Sequence, residues 1–149
     1  MNVIFFDIDG VLNYYQSRGL DWDIVDNLIK LAQETDSKLV MSSSWKDVLI
    51  NPDRNSEPDK KYIQNLLNTM GELYIGYTPE TPKDERELEV QEWLDNHPDV
   101  NNFVIFDDLD YRFEEFFGER FIKTSGFNKN GLTKENIQQA KIILKGNNI

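Results

Sequence analysis

Short apolar runs alternate along the chain with longer stretches in which apolar residues recur every three or four positions. The first run, Val3 to Phe6, is continuous and ends at Asp7, which is typical of a strand buried on both faces. Similar runs recur further along. The predicted strands are Asn2 to Phe6, Lys38 to Met41, Leu73 to Tyr77, Asn102 to Phe106 and a short fifth strand at Phe121 to Lys123.

The stretches between these runs predict helices. From Asp21 to Thr35 the apolar residues follow helical spacing, and Asp21 is a suitable N-cap. Further helices are predicted at Lys60 to Met70, Asp84 to Asn96 and Thr133 to Lys145, and the polar segment Asn51 to Asp59, with its two prolines, is predicted as a loop. Buried strands alternating with helices indicate an α/β fold, a three-layer sandwich with a mainly parallel central sheet.

Composition narrows the class of protein. The chain has 149 residues, which fits a single domain over residues 1–149. Its 27 acidic and 16 basic residues give a formal net charge of −11, which argues against general binding of duplex nucleic acid. The chain has no cysteine, which suits a reducing compartment, and no apolar run is long enough to cross a membrane. We therefore expect a cytoplasmic protein without membrane contact.

Residues suited to chemistry follow three of the predicted strands. Asp7 and Asp9 end the first strand, and their spacing of two points both carboxylates the same way. Serines 42–44 end the second strand, and Asp107 with Asp108 ends the fourth. Ligands of parallel sheets bind at the carboxyl ends of the strands, so we expect one shared crevice. Carboxylates this close need a counter-ion, and an all-oxygen ligand set favours Mg²⁺.

Such a magnesium site suggests phosphoryl chemistry, because Mg²⁺ in proteins commonly contacts a substrate phosphate. One carboxylate can attack phosphorus while a second protonates the leaving oxygen, and Asp7 and Asp9 suit these two roles. Hydroxyls of serines 42–44 and the positive charge of Lys83 or Arg86 suit the transferred group. Each motif alone also fits a turn or a helix cap. Their order along the chain is what favours a catalytic site.

Taken in that order, the motifs resemble the haloacid dehalogenase (HAD) superfamily of phosphotransferases across nearly the whole chain. The four superfamily motifs are matched by Asp7-Ile8-Asp9-Gly10, by Ser42-Ser43-Ser44, by Arg86 or Lys83, and by Asp107-Asp108. A narrower likeness is to the small HAD domains found in multi-domain RNA repair proteins. It rests on Ser-Ser-Ser-Trp followed by a base, on Arg86 ahead of Trp93-Leu94, and on Gly131-Leu132-Thr133.

The resemblance implies a Rossmann-like HAD core and a Mg²⁺-dependent phosphatase that works through an aspartyl-phosphate intermediate. Asp7 is then the nucleophile and a metal ligand. Asp9 is the general acid and base, and its backbone carbonyl also binds the metal. Asp107 and Asp108 complete the metal site.

For contact with the substrate phosphate, the motifs leave two pairs of alternatives open. Ser43 is slightly favoured over Ser42 for the hydroxyl, and Arg86 over Lys83 for the positive charge. The substrate is expected to be a phosphorylated molecule: a nucleotide, a nucleic-acid end or another phosphate ester.

The intervals between motifs bear on the shape of the site. About 33 residues separate Asp9 from Ser43 and about 41 separate Ser44 from Arg86, too few in each case for a full cap domain. We therefore expect an open site without a large cap. The segments 13–19 and 51–59 are candidates for a partial lid, with Tyr14, Tyr15 and Arg18 as candidate substrate contacts.

Two other classes of function compete with an enzyme. A receiver-like signalling domain also gathers acids around Mg²⁺, but receivers carry their acidic pair on the first strand, whereas here it follows the fourth. A non-catalytic relative that binds a phosphorylated ligand is less favoured, because both acids of the first motif are present. Trp45, near the proposed site, is interpreted as a packing residue rather than a base-stacking platform.

Overall fold

The described structure is built around one parallel sheet. In this computed structural model, which describes residues 1–17 and 19–146, five strands form a sheet in the order β3-β2-β1-β4-β5. The strands are β1 (Asn2–Phe6), β2 (Ser37–Met41), β3 (Tyr74–Tyr77), β4 (Asn102–Asp107) and β5 (Phe121–Lys123). Every pairing between neighbouring strands is parallel. The predicted α/β architecture is confirmed.

Helices cover both faces of the sheet. They are α1 (Trp22–Glu34), α2 (Asp47–Ile50), α3 (Glu57–Met70), α4 (Arg86–Asp95), α5 (Phe113–Phe117) and α6 (Lys134–Leu144). Alternate residues of β1 point to opposite faces, as the period of two requires. Ile4 and Phe6 pack in a core with α1, α3 and α6, whereas Val3 and Phe5 pack in a second core with α4 and α5. The chain therefore forms the three layers that its sequence predicts.

The start of α3 differs from the prediction. The polar segment 51–59 was expected to be a loop, with the next helix starting near Lys60, but α3 begins at Glu57. The side chain of Ser56 caps the helix by accepting the backbone N–H of Asp59, and Pro58 lies in the first turn, where its missing N–H costs nothing. Residues Pro52–Arg54 form a 3₁₀ turn. The prolines here begin helical turns rather than interrupt them.

Two of the other helices, α1 and α6, also begin after a residue whose side chain caps them. Asp21 caps α1 as predicted, accepting from the backbone N–H groups of Asp23 at 3.0 Å and Ile24 at 3.2 Å. Thr133 caps α6 in a reciprocal capping box with Asn136. In the described part of the chain no cap domain interrupts the core, in agreement with the expectation of an open site. None of the described helices has both the length and the apolar character needed to cross a bilayer.

Candidate active site

The sheet register brings the three predicted strand ends together. Phe6 of β1 pairs with Met41 on one side and Phe106 on the other, so the residues that follow these three are at the same level. The backbone N–H of Asp7 donates to the carbonyl of Phe106 at 3.1 Å, and that of Ser42 donates to the carbonyl of Phe6 at 2.8 Å. Asp7, Ser42 and Asp107 therefore meet at one edge of the sheet.

Three carboxylates form the centre of this edge, and we call Asp7, Asp107 and Asp108 the acidic cluster. One ligand atom from each lies within 4.8 Å of the others, close enough for a shared cation. Asp7 and Asp107 are buried and Asp108 is half-buried. The carboxylate of Asp9 is exposed and lies outside this group. The expected metal contact through the backbone carbonyl of Asp9 stays a prediction.

Gly10 allows Asp108 to lie this close to the loop after β1. Its φ is +83°, in the region that favours glycine, and a Cβ at this position would lie 2.4 Å from Oδ2 of Asp108. On the other side of the loop, the hydroxyl of Thr124 donates to the carbonyl of Gly10 at 2.8 Å. Any residue other than glycine here would displace a member of the acidic cluster.

Arg86 is the cation that contacts the acidic cluster. Its Nη1 lies 3.1 Å from Oδ2 of Asp7 and 3.1 Å from Oδ2 of Asp107, and it also donates to the carbonyl of Ser42 at 3.3 Å. The guanidinium packs over the ring of Tyr111, 4.8 Å from its centroid. Lys83, the alternative basic residue, is exposed on the segment before α4. The geometry thus favours Arg86 for the basic position at the site.

Burial and mutual repulsion disfavour the charged forms of the Asp7 and Asp107 carboxyls. Burial raises the pKa of Asp7 from 3.8 to about 6, against the opposing effects of the Arg86 charge and of the Ile8 N–H bound to Oδ1 at 2.8 Å. Burial, followed by the charge of Asp7, raises the pKa of Asp107 well above its usual value. Three carboxylates lie together with one guanidinium, which contacts two of them, so two negative charges are unbalanced when all three carboxyls are ionised. A divalent cation matches that deficit.

The two candidate serines differ in their hydrogen bonding. Ser42 and Ser43 are both buried. The hydroxyl of Ser43 accepts the backbone N–H of Trp45 at 3.2 Å and caps the 3₁₀ turn Ser44–Lys46. The hydroxyl of Ser42 has no hydrogen-bond partner among the described residues. A buried hydroxyl without a partner is uncommon in folded proteins, and it marks a place where a bound group would add a contact.

Asp9 is oriented by two side chains that the sequence analysis did not assign to it. Its Oδ2 accepts the indole N–H of Trp45 at 3.0 Å, and its Oδ1 accepts from Nδ2 of Asn13 at 2.9 Å. Nδ2 of Asn13 also donates to the hydroxyl of Tyr62 at 3.1 Å, whose ring packs against Trp45 with centroids 4.9 Å apart. Trp45 does pack, as expected, but it also orients Asp9. The only sequence signal was the spacing of four between Asp9 and Asn13.

A second buried charge group lies behind the site, and we call it the Lys46–Glu89 pair. Nζ of Lys46 lies 2.7 Å from Oε1 of Glu89 and also donates to the Thr78 hydroxyl at 3.2 Å and the Pro79 carbonyl at 2.9 Å. Oε2 of Glu89 accepts from the N–H and hydroxyl of Thr81 at 2.9 and 3.1 Å. Lys46 is the last residue of the 3₁₀ turn Ser44–Lys46, and Glu89 lies one turn after Arg86 on α4. The sequence analysis missed this pair.

The comparison with known proteins decides the family. Residues 3–137 match the family described as "HAD domain in Swiss Army Knife RNA repair proteins". The chain belongs to this family. No curated protein and no solved structure matches it. The suspected HAD core is thereby confirmed.

Of the candidate lid residues, Tyr14 is half-buried and Tyr15 is exposed, both on the loop after β1. Arg18 lies outside the described residues. Segment 51–59 contributes the 3₁₀ turn and the start of α3 described above.

Proposed function

We propose that this HAD domain is a Mg²⁺-dependent phosphatase that hydrolyses phosphate monoesters through an aspartyl-phosphate intermediate. The observation that carries the proposal is the acidic cluster: two buried carboxyls and a third beside them with a single arginine between them. Such an arrangement costs stability in a protein without a cation, because the charged carboxylates are desolvated and repel one another. Family membership supports the same function.

The residues present fit a hard divalent cation. Asp7, Asp107 and Asp108 offer oxygen ligands only. Three ionised carboxylates beside the Arg86 guanidinium have a net charge of −2, which equals that of Mg²⁺ with opposite sign. We propose that these three side chains and the backbone carbonyl of Asp9 bind it. When bound, Mg²⁺ neutralises the carboxylates and the phosphate oxygens, so that an anionic nucleophile can approach an anionic ester.

Asp7 is the proposed nucleophile. Its Oδ1 accepts the backbone N–H of Ile8, and its Oδ2, which is ion-paired with Arg86 at 3.1 Å, is the oxygen that we propose attacks phosphorus. The new Oδ2–P bond forms as the bond from phosphorus to the ester oxygen breaks, and the departing oxygen takes a proton from Asp9. Water then attacks the phosphorus of the aspartyl phosphate while Asp9 takes a proton back, which releases inorganic phosphate and restores the Asp7 carboxylate.

The remaining polar groups bind the phosphate in this proposal. Arg86, already 3.1 Å from Asp7, supplies the positive charge, with Lys83 as the less favoured alternative because it is exposed. Ser42 and Ser43 lie at the end of β2 beside Asp7 and supply hydroxyl donors. Charged and hydroxyl donors of this kind stabilise the equatorial oxygens of a phosphoryl group in transfer.

The proposed substrate is a nucleotide, a nucleic-acid end or another phosphate ester, reached through the open edge of the sheet. We further propose that the domain acts in the cytoplasm, since a chain with no cysteine suits a reducing compartment. A receiver-like role and non-catalytic binding are the alternatives, and turnover separates both from a phosphatase.

Hydrolysis of p-nitrophenyl phosphate tests the proposal. We expect turnover that needs Mg²⁺, disappears with EDTA, and falls at least about 10⁴-fold in Asp7→Asn, because that change removes the nucleophile. Circular dichroism shows whether the variant is folded. A folded wild-type protein that binds Mg²⁺ but hydrolyses neither this ester nor a panel of sugar, nucleotide and oligonucleotide phosphates contradicts the proposal.

A further inference from the structure

Two exposed aromatic rings lie in contact on the loops that border the site. The side chain of Tyr15 is 72 % exposed and that of Phe127 is 43 % exposed. Their rings meet edge to face, with centroids 6.3 Å apart and planes at 84°. Neither residue belongs to the two hydrophobic cores. Packing of the fold therefore does not explain why large aromatic side chains occupy both positions.

The position of this pair links it to the acidic cluster. Tyr15 lies two residues after Asn13, which binds Asp9. Phe127 follows Gly126, and a Cβ on Gly126 would lie 3.9 Å from Oδ2 of Asp108. Tyr15 is thus on the segment after β1 that also carries Asp9, and Phe127 is on the segment after β5, which approaches Asp108 at Gly126.

The two loops are joined by backbone and side-chain hydrogen bonds. The N–H of Tyr15 donates to the carbonyl of Phe127, and the N–H of Leu132 donates to the carbonyl of Val11 at 2.8 Å. The Thr124 hydroxyl donates to the carbonyl of Gly10 at 2.8 Å. These contacts fix the positions of the aromatic pair relative to the acidic cluster, so a ligand stacked there loses little freedom by ordering the loops.

The chemistry of the pair favours a small planar ligand. In an edge-to-face pair the ring that contributes its edge keeps both π-faces free for stacking. Two side chains are far too small for a protein interface, which buries about 800 Å² on each partner. A nucleobase stacks on an exposed aromatic ring whatever its identity. The net charge of −11 disfavours a long nucleic-acid backbone, so the contact suits one nucleotide only.

We propose that Tyr15 and Phe127 form a stacking subsite for the base of the nucleotide whose phosphate the acidic cluster receives. This inference rests on the proposed phosphatase function and adds the substrate class and the residues that select it. The subsite contributes binding and does not touch the reacting atoms. Removing the subsite is therefore expected to raise KM and to leave kcat unchanged.

Comparison of nucleotides with a sugar phosphate that lacks a base tests the subsite. For the wild-type protein with Mg²⁺ we expect kcat/KM to be at least about 10-fold higher for 5′-AMP or 3′-AMP than for ribose 5-phosphate. In Tyr15→Ala/Phe127→Ala, KM for the nucleotide rises about 10-fold with kcat unchanged. The values for ribose 5-phosphate stay the same.

Two control variants separate stacking from general effects. Tyr15→Phe keeps the ring and should keep the preference for the nucleotide. Phe116→Ala removes another exposed aromatic ring, which is 39 % exposed and lies on α5, the helix that leads to the start of β5. This change should leave kcat and KM the same for both substrates. Equal losses for AMP and ribose 5-phosphate in the double variant, or no nucleotide preference in the wild type, overturn the subsite.

Calorimetry keeps this test distinct from that of the phosphatase. The assay with p-nitrophenyl phosphate and the ester panel decides the phosphatase proposal. If AMP and ribose 5-phosphate are not hydrolysed, binding of AMP compared with ribose 5-phosphate still decides the subsite. Tighter binding of AMP that the double variant loses supports stacking. The subsite is rejected if the wild type binds AMP and ribose 5-phosphate equally, or if the wild type and the double variant bind AMP equally.

Discussion

Two groups of buried charges lie near the start of α4, and they are built in opposite ways. In the Lys46–Glu89 pair one cation meets one anion, and every donor of the ammonium and both oxygens of the carboxylate have partners. The acidic cluster has three carboxylates, and the guanidinium of Arg86 contacts two of them, Asp7 and Asp107. The two groups are one helical turn apart on α4, where Arg86 and Glu89 lie.

The difference separates supporting structure from a place that receives a ligand. The satisfied pair joins the turn that follows the serines to α4, and so fixes the elements that carry Ser43 and Arg86. The acidic cluster keeps a charge deficit, and Ser42 beside it has a hydroxyl without a partner among the described residues. Burial alone therefore does not distinguish the two groups, and the unbalanced charge of the acidic cluster is what supports the proposed site.

The largest change in stability is expected from Lys46→Met, which leaves the Glu89 carboxylate buried without its cation. We expect it to lower the free energy of unfolding by about 3–5 kcal/mol, as for other broken buried pairs. Urea denaturation measures this. Lys46→Met/Glu89→Leu should recover part of the loss, because no charge is then left unpaired.

Lys141→Met is the matched control for that variant. It breaks the surface pair Lys141–Glu34, whose side chains are 30 % and 50 % exposed, and should cost at most about 1 kcal/mol. Equal losses in Lys46→Met and Lys141→Met would remove the contrast between a buried supporting pair and a surface pair.

Removing Arg86, the guanidinium beside the acidic cluster, should lower catalytic activity more selectively than Lys46→Met does. We expect Arg86→Met to lower kcat/KM for p-nitrophenyl phosphate about 100-fold, since a positive charge beside the transferred group is lost. Lys83→Met, on the exposed segment, should change it less than about threefold. A larger loss in Lys83→Met than in Arg86→Met would assign the basic position to Lys83.

The acidic cluster should also make the metal-free protein less stable as pH rises. The pKa of Asp7 is about 6 in the fold against 3.8 for an ordinary aspartate, so between these values the folded state binds more protons than the unfolded chain. The free energy of unfolding should then fall as pH rises from about 4 to about 6, by about 1–3 kcal/mol, and stay lower above pH 6.

Asp7→Asn and Mg²⁺ should each remove that fall, the first by deleting the charge and the second by neutralising it. Asp7→Asn without Mg²⁺ is therefore expected to be more stable than the wild type at pH 7 while being inactive. Thermal or urea denaturation at pH 4, 6 and 7 in EDTA measures the effect. Stability that rises over this interval in the wild type would contradict the unbalanced charge.

The smallest change in stability is expected at Ser42. Ser42→Ala removes a hydroxyl with no partner among the described residues and should alter the free energy of unfolding by less than about 1 kcal/mol, in either direction. Ser43→Ala loses the cap of the 3₁₀ turn and should cost about 1 kcal/mol. Whichever variant loses more activity identifies the hydroxyl that contacts the phosphate.

Much of the fold and the centre of the site could be predicted because they depend on local patterns. Continuous apolar runs identify buried parallel strands, and parallel strands bring their carboxyl ends to one edge, so the meeting of Asp7 with Asp107 follows from topology. The capping role of Asp21 also follows from local sequence.

What could not be predicted depends on contacts between side chains distant in sequence. The bond from the Trp45 indole to Asp9 and the Lys46–Glu89 pair are set by how helices and turns pack on the sheet, which no local spacing encodes. The start of α3 at Glu57 differs from the prediction because a proline in a polar segment is typical of a loop but also fits the first turn of a helix, where Pro58 lies.

The close contact of Gly10 with Asp108 has a consequence for any redesign of this protein. Even one added methyl group on the first acidic loop would collide with a carboxyl oxygen brought there by the fourth strand. The absence of a side chain at position 10 thus sets how closely this loop approaches Asp108 in the acidic cluster. A Gly10→Ala protein would keep all of its acidic residues and yet hold them in the wrong arrangement.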